Sequence, residues 1–188
     1  MQTILEQETR KYTKAWQLVY NDQNTCGATH VNPLLEYFLI DKQSTILDIG
    51  CGSGNAVRSL RRRGYNAYGI DLVETEYIKD IPFSQSSVWE FSGPDYDYVM
   101  CTDVLEHVPM EMLDASLHRI QKHTTSGAMF VISTREDHAG KSIGETLHLT
   151  VQPIKWWTEF LSKYFRVETV ETLEDSDYRI FVSQSSSG

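Results

Sequence analysis

The chain has 188 residues, 40% of them hydrophobic, 23% charged and 11% aromatic, and a formal charge of −9. That length suits one core rather than two domains, and a net negative chain gains no general attraction to phosphate backbones, which disfavours bulk nucleic acid. No apolar run reaches the roughly 20 residues of a membrane span, and three scattered cysteines without a CxxC pair read as reduced thiols of a cytoplasmic protein.

Residues 3–20 carry Ile4, Leu5, Tyr12, Trp16, Val19 and Tyr20 at helical spacing and predict an N-terminal helix. The charged start of this segment, MQTILEQETRKYTKAW, has no apolar stretch of the signal-peptide kind. NDQNTCG breaks the helix, and Asn32-Pro33 opens a second one through LLEYFLI, since proline suits a first helical turn. TILDIG is a short buried strand. Residues 55–63 form a helix stopped at Gly64, and YNAYGID is the next strand. Residues 72–95 are irregular, with a strand at SVWEF. DYDYVMCTD follows as a strand, then the amphipathic helix MEMLDASLHRIQKH, and then the strand AMFVIST. A polar loop leads to the helix PIKWWTEFLSKYF, begun by Pro153, and RVETVET and DYRIFVS close the chain as two strands. Strands alternating with helices until the last pair predict a mostly parallel α/β sheet, covered on both faces, with one antiparallel strand near an edge. One domain spans 1–183, with N-terminal helices in 1–43 and a flexible polar tail at 184–188.

The joint ILDIGCGSGNAVRSL, 46–60, crowds three glycines between a strand and a helix. From Gly50 a dinucleotide fingerprint would place its third glycine at 55, which is Asn55; the spacing here is G-x-G-x-G, and no GK[ST] follows. Asp48 sits just before the loop, where a carboxylate opposes an anionic ligand. Asp71, 23 residues after Asp48, ends the next strand, where an acidic side chain takes ribose hydroxyls in nucleotide folds. A ligand with a ribose and a positive centre fits, and S-adenosylmethionine has both.

ILDIGCGSG, YGIDL and DYDYVMCTDVLEHVP, in that order, closely resemble the successive motifs of class I S-adenosylmethionine-dependent methyltransferases, especially the small-molecule branch. The resemblance covers 44–135 well, and H-x-x-x-P-x-x-W-W-x-x-F-L at 148–161 is similar to the block before the last two strands. It implies a Rossmann-like seven-stranded sheet in the order 3-2-1-4-5-7-6, strand 7 antiparallel. The N-terminal helices then cover the cofactor site. It also implies cofactor contacts at Asp48, Gly50, Cys51, Gly52, Gly54, Asp71, Leu72, Thr102 and Asp103. For adenine two alignments are open: Asp80, or Trp89-Glu90. Glu90 is preferred, because it leaves only seven residues to Asp97.

The expected activity is methyl transfer to an oxygen or nitrogen of a small-molecule acceptor, with His107 or His148 as the base. Rival readings are a nucleotide-conjugate or nucleic-acid methyltransferase and an inactive cofactor-binding partner subunit. A dehydrogenase using NAD is more distant. No histidine or cysteine spacing points to a metal, and the two buried cysteines read as space-fillers. Residues 135–150 are expected to form a mobile lid over the acceptor site. Acceptor identity and oligomeric state are not legible.

Overall fold

A computed structural model describes residues 2–174 and 176–185. Its sheet has seven strands in the order β3-β2-β1-β4-β5-β7-β6: β1 Thr45–Ile49, β2 Asn66–Asp71, β3 Phe83–Gln85, β4 Tyr96–Thr102, β5 Thr124–Ser133, β6 Phe165–Thr172 and β7 Asp177–Gln184. All neighbouring pairs from β3 to β5 are parallel, and β7 runs antiparallel to both β5 and β6. This is the sheet that the resemblance implied.

The helices divide between the two faces. Helices α2 (Val31–Phe38) and α3 (Asn55–Arg62) pack Leu34, Val57 and Leu60 against Ile46, Met100, Met129 and Phe181. On the other face, α4 (Leu113–Lys122) and α5 (Ile154–Leu161) pack Leu117, Ile120 and Trp157 against Leu47, Val99, Phe130 and Ile180. In β5 the side chains of Ala128, Phe130 and Ile132 go to one cluster and Met129 to the other, which is why a strand covered on both faces reads as an unbroken apolar run.

Helix α1 (Ile4–Leu18) stands apart from this sandwich and lies over the carboxyl ends of the strands. It begins in a capping box: Thr3 Oγ1 accepts from the Glu6 N–H at 3.2 Å, and Glu6 Oε2 accepts from the Thr3 N–H at 2.8 Å.

Three expectations shift. The strand after β2 is Phe83–Gln85, not SVWEF. The buried pair Val88 and Phe91 are three residues apart, which a hydrogen-bonded turn puts on one side and a strand would not. Helix α4 starts at Leu113, after a tighter turn over Met110–Met112. Gln184, placed in the tail by the sequence, instead ends β7, its side-chain amide donating to Gln121 O at 2.8 Å; residues 186–188 lie outside the described part.

Candidate active site

Strands β1, β2 and β4 end side by side, and the loops that leave them enclose a cavity of about 220 Å³ roofed by α1. After β1 the chain reverses sharply. The amides of Gly50 and Cys51 both donate to Ile70 O, at 2.8 and 3.0 Å, and bind the turn to β2. Gly52 has φ +56, and a Cβ there would stand 3.1 Å from the Trp16 ring, so the roof sits on bare backbone.

Asp71 locks the same turn. Its Oδ2 accepts from the Gly52 N–H at 2.9 Å and its Oδ1 from the Val73 N–H at 3.0 Å, and each oxygen keeps a lone pair for a further donor. Burial pushes its pKa up, against the pull of those amides. Asp48 is buried, and among the described residues nothing donates to its carboxylate. Burial first, then the Asp71 charge, drives its pKa to about 8. A buried carboxyl without a partner, facing a cavity, is complementary to a cationic ligand.

Of the residues implied by the resemblance, Asp48, Gly50, Cys51, Gly52, Asp71, Leu72, Trp89, Thr102 and Asp103 line the cavity. Two do not. Gly54 turns away, its α-carbon facing Ile78 and Ile81, where a Cβ would meet Ile81 at 2.6 Å; its φ of +79 serves the start of α3. Glu90 is exposed and accepts from Ser87 Oγ at 3.1 Å, so the far wall is made by Ser86, Ser87, Val88 and Trp89. Asp80 is no substitute: it pairs with Arg58 at 3.0 Å, outside the cavity. Both carboxylates are drawn off because they find donors at the surface.

At the opposite end, Asp103 takes a left-handed backbone, φ +54, which for a non-glycine residue costs energy that surrounding contacts must supply. Burial raises its pKa, while the Cys26 thiol, which donates to its carboxylate, opposes that rise. His107 also lines the cavity and is half-buried. Burial, reinforced by the neighbouring His148, lowers its pKa to about 3, so it is neutral at pH 7. Its Nδ1 lies 2.8 Å from the Tyr12 hydroxyl and 3.1 Å from Leu147 O. A carbonyl can only accept, so the arrangement favours a proton on Nδ1 and a free lone pair on Nε2.

His148 does not reach the cavity. Its ring packs edge-on against His107, centroids 4.6 Å apart, and its Nδ1 is held 2.6 Å from Arg135 O. Sequence spacing showed no metal pattern, yet Glu106, His107 and His148 each bring one possible ligand atom within 4.8 Å of the others. Glu106 is buried, its Oε1 accepting from the Ser133 N–H at 2.8 Å and its Oε2 left without a partner. Burial, then Asp103, pushes its pKa far up, which favours the neutral acid. Neither Trp156 nor Trp157 lines the cavity; Trp157 is core, and Trp156 stacks on Phe160 at 4.8 Å.

Glu8, Tyr12, Trp16 and Tyr20, together with Asn24, Thr25 and Cys26, also line the cavity. The signal for the first four was their four-residue spacing, which sets one stripe of a helix in line. For the aromatic members that stripe reads equally well as core packing. The segment 135–150 closes against α1 rather than standing free: Lys11 Nζ donates to Thr146 O at 3.3 Å and Lys14 Nζ to Ile143 O at 2.5 Å, with Ile143 and Leu147 buried beneath.

A sheet of this order with β7 reversed, and a glycine turn clamped by an aspartate at the end of β2, define the class I methyltransferase fold. The family model described as "Methyltransferase domain" matches residues 23–175, and the chain belongs to that family. Among its relatives is the ubiquinone biosynthesis O-methyltransferase of Rickettsia canadensis (strain McKiel), 29% identical over 155 residues, 71% of this chain and 65% of the relative. The protein of the same name from Rickettsia conorii (strain ATCC VR-613 / Malish 7) is 33% identical over 139 residues, 65% of this chain and 46% of the relative. The chain therefore spans less than two thirds of the length of these curated relatives.

Two solved structures share the fold. One is the 1,6-didemethyltoxoflavin-N1-methyltransferase of Burkholderia thailandensis, with 1,6-didemethyltoxoflavin and S-adenosylhomocysteine bound (TM-score 0.75, 14% identity, 95% of this chain and 87% of that one). The other is magnesium protoporphyrin IX methyltransferase from Synechocystis PCC 6803 with bound S-adenosylmethionine (TM-score 0.70, 17% identity, 98% and 99%). Helix α1 precedes the family match, so this part of the cavity wall lies outside it.

Proposed function

We propose that the chain is an S-adenosylmethionine-dependent methyltransferase acting on an oxygen or nitrogen of a small molecule, with oxygen favoured by the O-methyltransferase relatives. The observation that carries this reading is one cavity joining the Asp71-clamped glycine turn to the half-buried, neutral His107. The residues suit the cofactor. Asp48 offers a buried, unpartnered carboxyl to a positive centre, Asp71 keeps lone pairs for ribose hydroxyls, and Trp89 with Leu72 gives an apolar slot for a base.

When bound, S-adenosylmethionine supplies a methyl group on a positive sulfur, open to in-line displacement. The chain's own residues then have three tasks. Trp16 and Tyr20 exclude water from above. The walls hold the acceptor atom at about 3–3.5 Å from the carbon it attacks. His107 Nε2 takes the proton the acceptor loses, while Tyr12 and Leu147 O keep Nδ1–H in place.

Three free cysteines fit a cytoplasmic setting, and among the described residues no helix is long and apolar enough to cross a membrane. Calorimetry with S-adenosylhomocysteine against NAD tests the reading. Binding of the first and not the second is expected; the reverse would make this a dehydrogenase-type site.

A further inference from the structure

Arg58 of α3 lies behind the cavity rather than in its lining, and the loops around the glycine turn converge on its side chain. Nη1 donates to Tyr77 O at 2.7 Å and to Asp80 Oδ1 at 3.0 Å. Nη2 donates to Ser53 O and Asn55 Oδ1, both at 2.8 Å, and to Asp22 Oδ1 at 3.0 Å. One guanidinium thereby joins the glycine turn, the segment after β2 and the connection 19–26 that leaves α1. A planar fork of donors spans these acceptors; the single ammonium of a lysine would not.

Asn55 carries the grip forward to the cavity. Its Oδ1 is taken by Arg58, which turns its Nδ2 to Asp22 O at 2.6 Å and Thr25 Oγ1 at 3.5 Å. Thr25 Oγ1 also meets Ser53 Oγ at 2.8 Å. Asn24, Thr25 and Asn55 line the cavity together with Gly52. On its other side Arg58 holds the backbone of Tyr77, whose ring lies 6.2 Å from that of Trp16, the residue seated over Gly52. The Tyr20 end of the roof is thus fastened through Arg58, whereas its other end is fastened by Lys11 and Lys14 to segment 135–150.

The Arg58 side chain is 14% exposed, against 46% for Asp22 and 62% for Asp80. Ion pairs to carboxylates so open to water contribute little by themselves, so what Arg58 supplies is the geometry it fixes. Its loss would leave both carboxylates in water rather than stranded in the interior, and the fold should persist.

We propose that Arg58 is a positioning residue for the cofactor: through Asp22 and Asn55 it holds residues 22–25 across the half of the cavity assigned to S-adenosylmethionine, and so sets how long the cofactor stays. This rests on the methyltransferase reading above and adds to it a residue that does not line the cavity. The proton transfer assigned to His107 takes place at the other end, which Arg58 does not touch. Retention of the cofactor and transfer of its methyl group should therefore separate.

The experiment uses the full chain as wild type, Arg58→Met, Asp22→Ala and the double variant. Labelled S-adenosylhomocysteine, chased with an excess of unlabelled ligand, should leave Arg58→Met about tenfold faster than the wild type, with a matching fall in affinity by calorimetry. Asp22→Ala should raise the dissociation rate by up to about fivefold. Added to Arg58→Met it should cost no more than about a further twofold, because the contact it removes is already gone. With a small-molecule extract of the source cells as acceptor, the concentration of S-adenosylmethionine giving half-maximal labelling should rise about tenfold in Arg58→Met. The rate at saturation should stay no lower than about half that of the wild type.

Unchanged dissociation in Arg58→Met overturns the assignment, as does a saturated rate that falls as far as the affinity, which is the mark of general loosening. Full additivity of the two substitutions overturns the route through Asp22. Should Arg58→Met fail to fold, Asp22→Ala decides alone, and an unchanged dissociation rate there overturns the proposal. Each of these results leaves the methyltransferase reading intact. A wild type that binds no S-adenosylhomocysteine, or labels nothing in the extract, overturns that reading, and the assignment to Arg58 falls with it.

Discussion

The two ends of the cavity are built in different ways. The end proposed for the cofactor is made by chain reversals at the tips of β1 and β2, where the key partners are backbone amides: Gly50 and Cys51 on Ile70 O, Gly52 and Val73 on Asp71. The end proposed for the acceptor is made by side chains from segments far apart in sequence, Tyr12 meeting His107 and Leu147. Geometry dictated by backbone leaves a dense local signature, because few residue types tolerate it. Geometry dictated by side-chain meetings leaves almost none, because the meeting depends on how whole elements dock. Loss of a residue from the first end should therefore hit binding, and loss from the second should hit turnover.

The largest effect is expected at Asp71. Asp71→Ala removes the acceptor for two backbone amides and for the proposed ribose hydroxyls, and hydrogen bonds to a charged group contribute up to about 3 kcal/mol each. Affinity for S-adenosylhomocysteine should fall by about a hundredfold in calorimetry, with the circular dichroism spectrum unchanged. Unaltered affinity would reduce Asp71 to a lock on the turn and remove the distinction between the two ends.

That contrast also explains what could be read in advance. Strand order, the reversed β7 and most of the residues along one wall of the cavity were legible, since ILDIGCGSG and YGIDL encode strand ends and tight turns within a few residues. Gly54 was grouped with the lining because glycine pattern alone does not say which glycine faces a cavity; the packing of Ile78 and Ile81 shows that this one faces away from it. Glu90 failed for a similar reason: the sequence gives no hint that Ser87 captures it at the surface. Glu8 was invisible as a cavity residue. One acidic side chain on a mixed helix means nothing until the helix is docked on the strand ends.

A second test stays at the cofactor end. Burial raises the Asp48 pKa to about 8, so in the free protein it is protonated over most of the neutral range. A cationic ligand favours the ionised form, so binding must expel the proton. Affinity for S-adenosylhomocysteine, whose ammonium is positive here, should rise roughly tenfold per pH unit from 6 to 8 and flatten above. The proton released should appear as a buffer-dependent heat in calorimetry. Affinity that is flat from pH 6 to 8 would show that Asp48 remains neutral in the complex.

At the acceptor end, Tyr12→Phe removes one hydroxyl and leaves the ring that packs edge-on against His107 at 5.8 Å. Loss of one hydrogen bond of about 1 kcal/mol should slow turnover roughly fivefold while cofactor affinity stays within twofold. A matching fall in cofactor affinity would show that α1 acts mainly as a roof.

The smallest effect is expected at His148, although the sequence marked it as a candidate base. Its ring lies beside His107 rather than in the cavity, and its Nδ1 is occupied by Arg135 O, so it cannot receive the acceptor's proton directly. Its influence is through His107: burial lowers the His107 pKa most, and the charge on a protonated His148 lowers it further. His148→Ala removes that repulsion and opens the enclosure, and both changes raise the His107 pKa above about 3. A somewhat stronger base against a slightly wetter site should leave turnover within about threefold of the wild type. Ring-nitrogen chemical shifts should show His107 taking up its proton at a higher pH than before. A tenfold or greater loss at unchanged cofactor affinity would give His148 a direct part in the reaction. If a chelator reproduced that loss in the wild type and an added divalent ion reversed it, then Glu106, His107 and His148 would be sharing a cation, and His107 could not be the base.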